Sequence, residues 1–399
     1  IFDFRNVVEN YVSADNLASS HSSYKGTQLS PASPYPIHII DKYSLSDNSI
    51  RYLVIQFYVE YLGADTLRPT IVSRADGTSV NSDLFTLFNG YLKYTDVLTM
   101  GSTQNPFDFG YSLSTFNLSS QTDKFLTNAP TSQTCNLNDY GTIAFLAPND
   151  NLDYFTLTYY DSDTSTLGSE NINRTEANGA YNVFSSDVKN QIIYFGCFPG
   201  NLQNWSSTFQ ALVTDGTIDG GSIRVQARSN GVTPRISAAY TININCDDLK
   251  GYESIRLCWL NQWGVWDYYT FTKKSTRNIS TQGTTYQQLE GSWNSSRYRL
   301  DSYKGGKKAF RVNATERISM NTDFVNEDFN TMFEELVNSP EVYMLDEYQS
   351  DGVSSALNQY VTPVRLTTSS FTRKTIANDK LIQYTFEVEK SKTLRTQAV

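Results

Sequence analysis

Apolar and polar side chains alternate repeatedly along this chain, and the alternation predicts β-strands. Between residues 52 and 61 every second side chain is apolar, which predicts one strand with a fully buried face. The runs 153–160, 223–228 and 239–245 also predict strands. Asp-Gly and Asn-Gly pairs, typical of tight turns, separate many of these runs. We therefore predict a mainly β protein built from antiparallel β-sandwich domains.

One segment, about residues 326–338, follows a helical period instead. Asn326 is placed to cap the helix, and Glu327 and Asp328 suit the positive end of its dipole. Ser339-Pro340 ends it. The helical period predicts a core-facing apolar stripe of Phe329, Met332, Phe333, Leu336 and Val337.

The end of the chain predicts a β-hairpin. Residues 361–373 have an extended pattern, and Asn378-Asp379 is suited to the turn. The returning strand is predicted to place four apolar side chains on one face, namely Ile382, Tyr384, Phe386 and Val388.

The stretch Arg256–Phe271 contains three tryptophans and a glycine, and it predicts a strand, an aromatic corner and a second strand. Large aromatic side chains serve as core or interface anchors, and they also stack on sugar rings, so all three roles stay open here. We name eight candidate interface residues, five of them in this stretch: Trp259, Trp263, Trp266, Tyr268, Tyr269, Lys307, Lys308 and Arg395.

Three regions are predicted along the chain. Residues 1–34, rich in Ser, Asn and Ala, predict an extended arm, and residues 35–232 predict an acidic β-rich domain that has room for an inserted subdomain. A turn at Asn230-Gly231 and the following Pro234 predict a domain boundary. Residues 236–399 then form a β-sandwich module that contains the helix.

Charge is distributed unevenly between these regions. The net charge of −9 comes from residues 1–245, which hold 13 basic and 22 acidic residues, whereas residues 246–399 hold 19 of each. This acidic balance argues against a nucleic-acid surface. One basic cluster, residues 304–311, predicts a glycine turn with a solvated face, and its alternative role is an interface with an acidic partner.

The four cysteines indicate free, buried thiols in a reducing compartment, because none lies in a C-x-x-C pair. A bridge between Cys246 and Cys258 stays open. We expect neither a membrane span nor a signal peptide, because no apolar run approaches about 20 residues.

Residues that carry familiar chemistry are few. The two histidines, His21 and His38, match no zinc site or catalytic triad, and no phosphate or dinucleotide motif occurs. The acidic run from Asp161 departs from a calcium loop, since Thr166 replaces the required glycine. We predict no enzyme activity, metal or cofactor, although a glycosidase-type carboxylate pair stays open.

The segment Arg256–Phe271 resembles virion proteins of tailed bacteriophages. The resemblance continues through Ser339–Tyr343, Pro363–Leu366 and Lys380–Glu389, with a weaker match at Ser33–Ile37. It is mainly confined to residues 236–399, and it supplies no catalytic residues.

This resemblance implies a structural subunit of the tail tip, baseplate or fibre attachment, assembled in the host cytoplasm from copies of itself and other virion proteins. One alternative is a head decoration or fibre-anchoring subunit. Another is a secreted glycan-binding protein, which six N-x-S/T sequons would suit.

Overall fold

The computed structural model is mainly β, with antiparallel sheets and few helices. The structure describes residues 4–14, 43–45, 48–57, 59–62, 69–72, 80–81, 85–91, 93, 116, 118, 124–147, 152–173, 191–229, 235–245, 252–294, 296–345, 361–375, 382–392 and 394. Its helices are α1 (Arg5–Val8), α2 (Pro199–Trp205), α3 (Ser207–Thr214) and α4 (Phe329–Asn338).

The strands fall into three groups along the chain. The first group is short: β1 (Tyr43–Leu45), β2 (Ile50–Leu53), β3 (Gln56–Phe57), β4 (Val59–Leu62), β5 (Pro69–Val72), β6 (Val80–Asn81) and β7 (Phe85–Phe88). The second is β8 (Ser132–Cys135), β9 (Ile143–Ala147), β10 (Tyr154–Tyr160), β11 (Thr166–Asn173), β12 (Gln191–Phe195), β13 (Ser222–Ser229), β14 (Arg235–Ile236) and β15 (Tyr240–Ile244). The third is β16 (Ile255–Leu260), β17 (Trp266–Phe271), β18 (Ser275–Gln288), β19 (Gly291–Asn294), β20 (Arg297–Leu300), β21 (Gly306–Asn321), β22 (Val342–Leu345), β23 (Val361–Leu366) and β24 (Thr385–Lys390).

Three sheets account for most of these strands. The first has the order β1-β12-β9, and the second has the order β11-β10-β13-β15-β8 with β14 beside β13. The third has seven strands in the order β17-β16-β22-β23-β24-β21-β18. Among the described strand pairs, only β8 and β15 run parallel.

The predicted strand between residues 52 and 61 is divided in the structure. Its residues belong to β2, β3 and β4, which pair with three different partners, β7, β6 and β5. Leu53 and Ile55 are only half-buried and Val54 is exposed, so the predicted fully buried face is wrong for these residues. Alternation alone does not show where a strand changes partner.

The first hydrophobic core lies between the first two sheets. Phe155 of β10 stacks on Phe195 of β12 with ring centroids 4.5 Å apart, and it meets Phe145 of β9 edge to face at 6.2 Å. Tyr159, farther along β10, packs on Phe209 of α3. Aromatic pairs in these geometries add to the free energy gained by burying apolar surface.

One charged side chain is buried in this core. Arg256 of β16 is 4% exposed, and its guanidinium lies over the rings of Phe198 and Tyr268 at 4.8 and 5.1 Å. It donates to Thr270 Oγ1 at 2.7 Å and forms an ion pair with Asp139 at 3.4 Å. These partners come from distant parts of the sequence, so no local pattern marks Arg256 as a core residue.

The second hydrophobic core lies between the seven-stranded sheet and α4. Met332, Phe333 and Leu336 of α4 are fully buried there, and Phe329 and Val337 pack at its edge, which confirms the predicted stripe. The hairpin prediction for the chain end also holds where the structure describes it: Ile382, Tyr384, Phe386 and Val388 are buried. The predicted turn at Asn378-Asp379 lies outside the described residues.

The start of α4 differs from the prediction. The helix begins at Phe329, preceded by Asp328, and no side chain caps its first turn. The Asn326 side chain instead donates to Asp328 Oδ2 at 2.9 Å, within a turn that precedes the helix. Asn326 therefore does not cap α4.

The hairpin β16–β17 lies between the two cores. Cys258, Trp266 and Tyr268 on one face belong to the first core, whereas Trp259 and Tyr269 on the other belong to the second. Because successive side chains of a strand point to opposite faces, one hairpin serves both.

The predicted boundary near residue 234 falls inside a sheet. Arg228 of β13 pairs with Ile236 of β14, and Val225 pairs with Tyr240 of β15. Residues 235–245 therefore belong with the preceding region, which corrects the prediction that they open the C-terminal module.

The N-terminal arm also differs from its prediction where it is described. Residues 5–8 form α1, the Ser13 amide donates to Asn48 O at 3.0 Å, and Ala14 packs against the first core. These residues are anchored to the body of the protein. Residues 15–34 lie outside the described residues.

Candidate functional site

The aromatic corner is a structural element of this chain. Trp259, Trp263, Trp266, Tyr268 and Tyr269 are between 0% and 7% exposed. Trp263 meets the ring of Phe116 edge to face at 5.3 Å, and Tyr269 meets the ring of Phe333 in the same way at 5.0 Å. They therefore act as core residues, which corrects the prediction that they form an interface and removes them as a surface for stacking sugars.

The surface feature that stands out is a two-stranded projection, which we call the ribbon (residues 282–313). Among the described strands, β18 and β21 pair only with each other from Gln282 and Asn313 outward, and the β19–β20 hairpin forms the tip of the ribbon. At about 3.3 Å per residue, the part of β18 from Gln282 to Gln288 alone extends roughly 23 Å, and the tip of the ribbon follows it. None of its described side chains is buried, on either face.

Large apolar side chains are concentrated on the ribbon. Trp293 and Tyr303 are 74% exposed, and Leu289 is 81% exposed. Others along its length are Tyr286, Tyr298, Leu300, Phe310 and Val312. An isolated β-hairpin is marginally stable in water, and contiguous exposed apolar surface marks interaction sites. The ribbon therefore has the properties of a docking element.

The ribbon is also basic. Residues 282–313 hold six basic and two acidic residues, a net charge of +4, so the rest of the chain carries −13. Lys307 is exposed and Lys308 half-buried on β21, and Lys308 donates to Tyr303 O. The structure thus places two predicted interface residues on the ribbon. Arg395 lies outside the described residues.

A second feature is a cleft of about 810 Å³ between the loop after β7, the β16–β17 turn and α4. Its polar walls include Lys93, Gln262, Glu334, Glu335 and Glu341. We call it the acidic cleft. Val12 and Ala14 form part of its apolar wall together with Leu260 and Pro340.

Two glycines set one wall of the acidic cleft. A Cβ atom on Gly264, whose φ is +72°, would lie 1.6 Å from Asn89 O, and one on Gly90 would lie 2.0 Å from Gln262 O. The Tyr91 amide donates to Gln262 O at 2.8 Å. Only glycine allows the two loops to approach this closely.

Two buried carboxyl groups interact beside the acidic cleft: Glu335 lines it, and Asp267 is bonded to the lining residue Asn261. Asp267 accepts from Thr127 Oγ1 at 2.7 Å and from Asn261 Nδ2 at 3.1 Å. Glu335 Oε1 accepts from Asn128 Nδ2 at 2.6 Å, and among the described residues its Oε2 has no hydrogen-bond partner. The sequence analysis did not identify this carboxylate pair, because Asp267 lies on a strand and Glu335 on a helix that is distant in the sequence.

Burial raises the pKa of both groups. Removal from water disfavours the charged form, so the pKa of Asp267 rises to about 7 and that of Glu335 to about 8. The charge of Asp267 raises the pKa of Glu335 further. The pKa of the neighbouring Glu334 is lowered instead, because the effect of burial is outweighed by its ion pairs with Lys93 and Arg373.

The structure also locates the acidic run and three of the four cysteines considered in the sequence analysis. Asp161 Oδ1 accepts from the amides of Asp163 and Ser165, so this acidic run forms a hydrogen-bonded turn. Cys135, Cys197 and Cys258 are buried free thiols. Cys246 and both histidines lie outside the described residues. The sequons that begin at Asn204, Asn278 and Asn313 lie within the described ranges. No group of three or more His, Cys, Asp or Glu able to hold a metal occurs in the described part of the chain.

Comparison with protein families, curated proteins and solved structures finds no match to this chain. Within the described ranges, no helix has the length and apolar character needed to cross a membrane. Function therefore has to be argued from the ribbon and the acidic cleft.

Proposed function

We propose that this chain is a structural subunit that assembles with further copies of itself through the ribbon. The observation that carries the proposal is the exposure of eight large apolar side chains on a two-stranded element with no buried side chain among its described residues. Such an element gains stability when a partner covers it. This function requires binding surfaces and no catalytic centre.

We also propose that the assembly belongs to a tailed-phage virion, at the tail tip, baseplate or fibre attachment. Support comes from the resemblance of residues 236–399 to virion proteins. A head decoration role is the alternative within the virion. Particles labelled with an antibody to this chain and imaged in negative stain would show label on the tail; label confined to the head would select the alternative.

The proposed architecture is a β-sandwich. Support comes from the first core, where the rings of Phe155 and Phe195 join the six-stranded sheet to the three-stranded sheet. Two sheets whose inner faces share one apolar core have the layered arrangement of a sandwich.

Self-association of the full chain tests the assembly function. Analytical ultracentrifugation at micromolar concentrations is expected to show oligomers. Tyr303→Ser, on the ribbon, is expected to weaken association at least about tenfold, because it removes a large exposed aromatic side chain.

The matched control is Tyr252→Ser, which makes the same change at a side chain that is 44% exposed outside the ribbon. It is expected to leave association unchanged. A wild-type chain that stays monomeric, or a Tyr303→Ser chain that associates like wild type, would overturn the proposal.

A further inference from the structure

We propose that the acidic cleft receives the ribbon of a second copy, with Arg297 or Arg299 of that ribbon placed against Glu335 and Glu341. This inference rests on the proposed assembly function and deepens it by naming the surface that the ribbon meets. The resulting contact is head-to-tail, since it joins two different surfaces, and such contacts build rings or filaments.

The first argument is the state of the cleft carboxylates. Glu335 is 5% exposed, yet its Oε2 has no hydrogen-bond partner among the described residues. Glu341, which also lines the cleft, accepts a side-chain hydrogen bond only from Tyr343 in the described chain, at 3.4 Å. Ionisation of Glu335 leaves a buried carboxylate oxygen without a donor, which is costly, and a guanidinium group supplies donors in the geometry that carboxylates prefer.

The second argument is the supply of cations on the ribbon. Arg297, Arg299 and Lys307 form no ion pair with any described residue, whereas Lys304 is paired with Asp301. Arg297 and Arg299 lie two residues apart on β20, so they share one face of the tip. The tip therefore presents two guanidinium groups together.

The third argument is overall charge and shape. The ribbon carries +4 and the rest of the chain −13, so a ribbon is attracted to the body of another copy. The acidic cleft has a volume of about 810 Å³, enough for several large side chains, and its apolar wall suits the aromatic residues of the tip.

The same arrangement makes the contact sensitive to pH. The charged groups that act on Glu335 are Asp267 and Lys93. Lys93 and Arg373 both pair with the neighbouring Glu334, and Glu341 lines the same cleft. Burial and the nearby Asp267 raise the pKa of Glu335, so an incoming cation must displace a proton. Association is therefore expected to strengthen as pH rises through about 7 to 8.

Charge reversal in the full chain tests the contact. Glu341→Lys in the cleft and the double change Arg297→Glu with Arg299→Glu in the ribbon are each expected to weaken association at least about tenfold. Mixing the two variant chains is expected to restore it to within about threefold of wild type, because opposite charges again face each other. Asp163→Lys, an equal change at an exposed site outside the cleft, is the control and is expected to have no effect.

A cross-linking experiment does not depend on how well Glu341→Lys folds. Chains carrying Arg299→Cys and chains carrying Glu341→Cys are mixed and treated with a short bismaleimide. A covalent dimer containing one chain of each kind is expected, and wild type with the same reagent is the control. Dimers from Arg299→Cys chains alone would assign the ribbon to another ribbon and overturn the inference.

The outcomes separate this inference from the proposed function. If wild type never associates, the assembly function itself fails. If wild type associates and Tyr303→Ser disrupts it, but Glu341→Lys has no effect and no mixed dimer forms, only the cleft assignment fails. Binding of short double-stranded DNA that is lost in the Arg297→Glu and Arg299→Glu chain would assign the basic face to nucleic acid and also overturn it.

Discussion

Glu335 places a carboxyl group on the buried face of α4, where the neighbouring side chains are apolar. Its position is tolerated because Asn128 donates to one oxygen, and because burial and the charge of Asp267 raise the pKa of the group. Asp267 is held in the same way by Thr127 and Asn261. Asp267 and Glu335 therefore form a pair of buried groups that bind protons more tightly than exposed carboxyl groups do.

The stability of the monomer is expected to fall with rising pH because of this pair. In the fold the pKa of Asp267 rises from 3.8 to about 7 and that of Glu335 from 4.5 to about 8. Their contribution is therefore fully present below about pH 4 and is lost as pH rises through 7 and 8. Glu335→Gln removes one titrating group. Relative to wild type, its free energy of unfolding is expected to be higher by on the order of 2 kcal/mol at about pH 9 and little changed at about pH 4.

Chemical denaturation of both chains across this pH range measures the difference. Glu9→Gln, at an exposed position near the N-terminus, is the control and is expected to follow the wild-type pH profile. The prediction would be contradicted if the difference in unfolding free energy between Glu335→Gln and wild type were the same at every pH.

The β16–β17 turn and the loop after β7 form the element on which the acidic cleft depends. Their backbones touch through Gly264 and Gly90, and the Tyr91 amide bonds to Gln262 O. Because the β16–β17 turn joins the two strands of the hairpin, a change in the separation of the two loops is expected to shift the hairpin that lies between the two cores.

Gly264→Ala is expected to destabilise the protein by about 2–4 kcal/mol. A Cβ atom there would lie 1.6 Å from Asn89 O, and the residue has a φ of +72° that side chains disfavour. Gly283→Ala, on the ribbon, is the matched control, since its nearest contacts would be ordinary ones at 3.5 Å. Its effect is expected to stay within about 0.5 kcal/mol, and urea denaturation midpoints compare the two. Equal effects would argue against the close loop contact.

At the scale of the whole molecule, the two hydrophobic cores share the β16–β17 hairpin. One face of the hairpin closes the first core and the other closes the second. A chain cut between the cores therefore exposes apolar surface on whichever fragment keeps the hairpin.

The fragment 246–399 is accordingly expected not to fold as a stable monomer. Removal of the first core leaves Trp266, Tyr268 and Cys258 facing water, although all three are buried in the full chain. Calorimetry of the full chain is expected to show one main unfolding transition that includes both cores. A soluble fragment with a cooperative transition of its own would show that the cores are independent domains.

Several elements were predictable because their signals are local. A side-chain period of two residues predicted the strands 154–160, 222–229 and 240–244 and the buried face from Ile382 to Val388. A period of 3.6 residues predicted the apolar stripe of α4. The division of residues 52–61 among three strand pairs was not predictable, because the partner of a strand lies elsewhere in the sequence. The misplaced boundary has the same origin, since the pairing of β13 with β15 crosses it.

The sequence by itself determined the β-rich class, the aromatic hairpin and the helix that packs on the last sheet. These follow from backbone geometry and from the free energy of burying alternate side chains, which act over a few neighbouring residues. Only the tertiary structure decided that the tryptophan corner is buried, that the ribbon is exposed, and that Asp267 and Glu335 interact beside a cleft. Burial and charge pairing depend on which distant segments come together, and no local pattern encodes that.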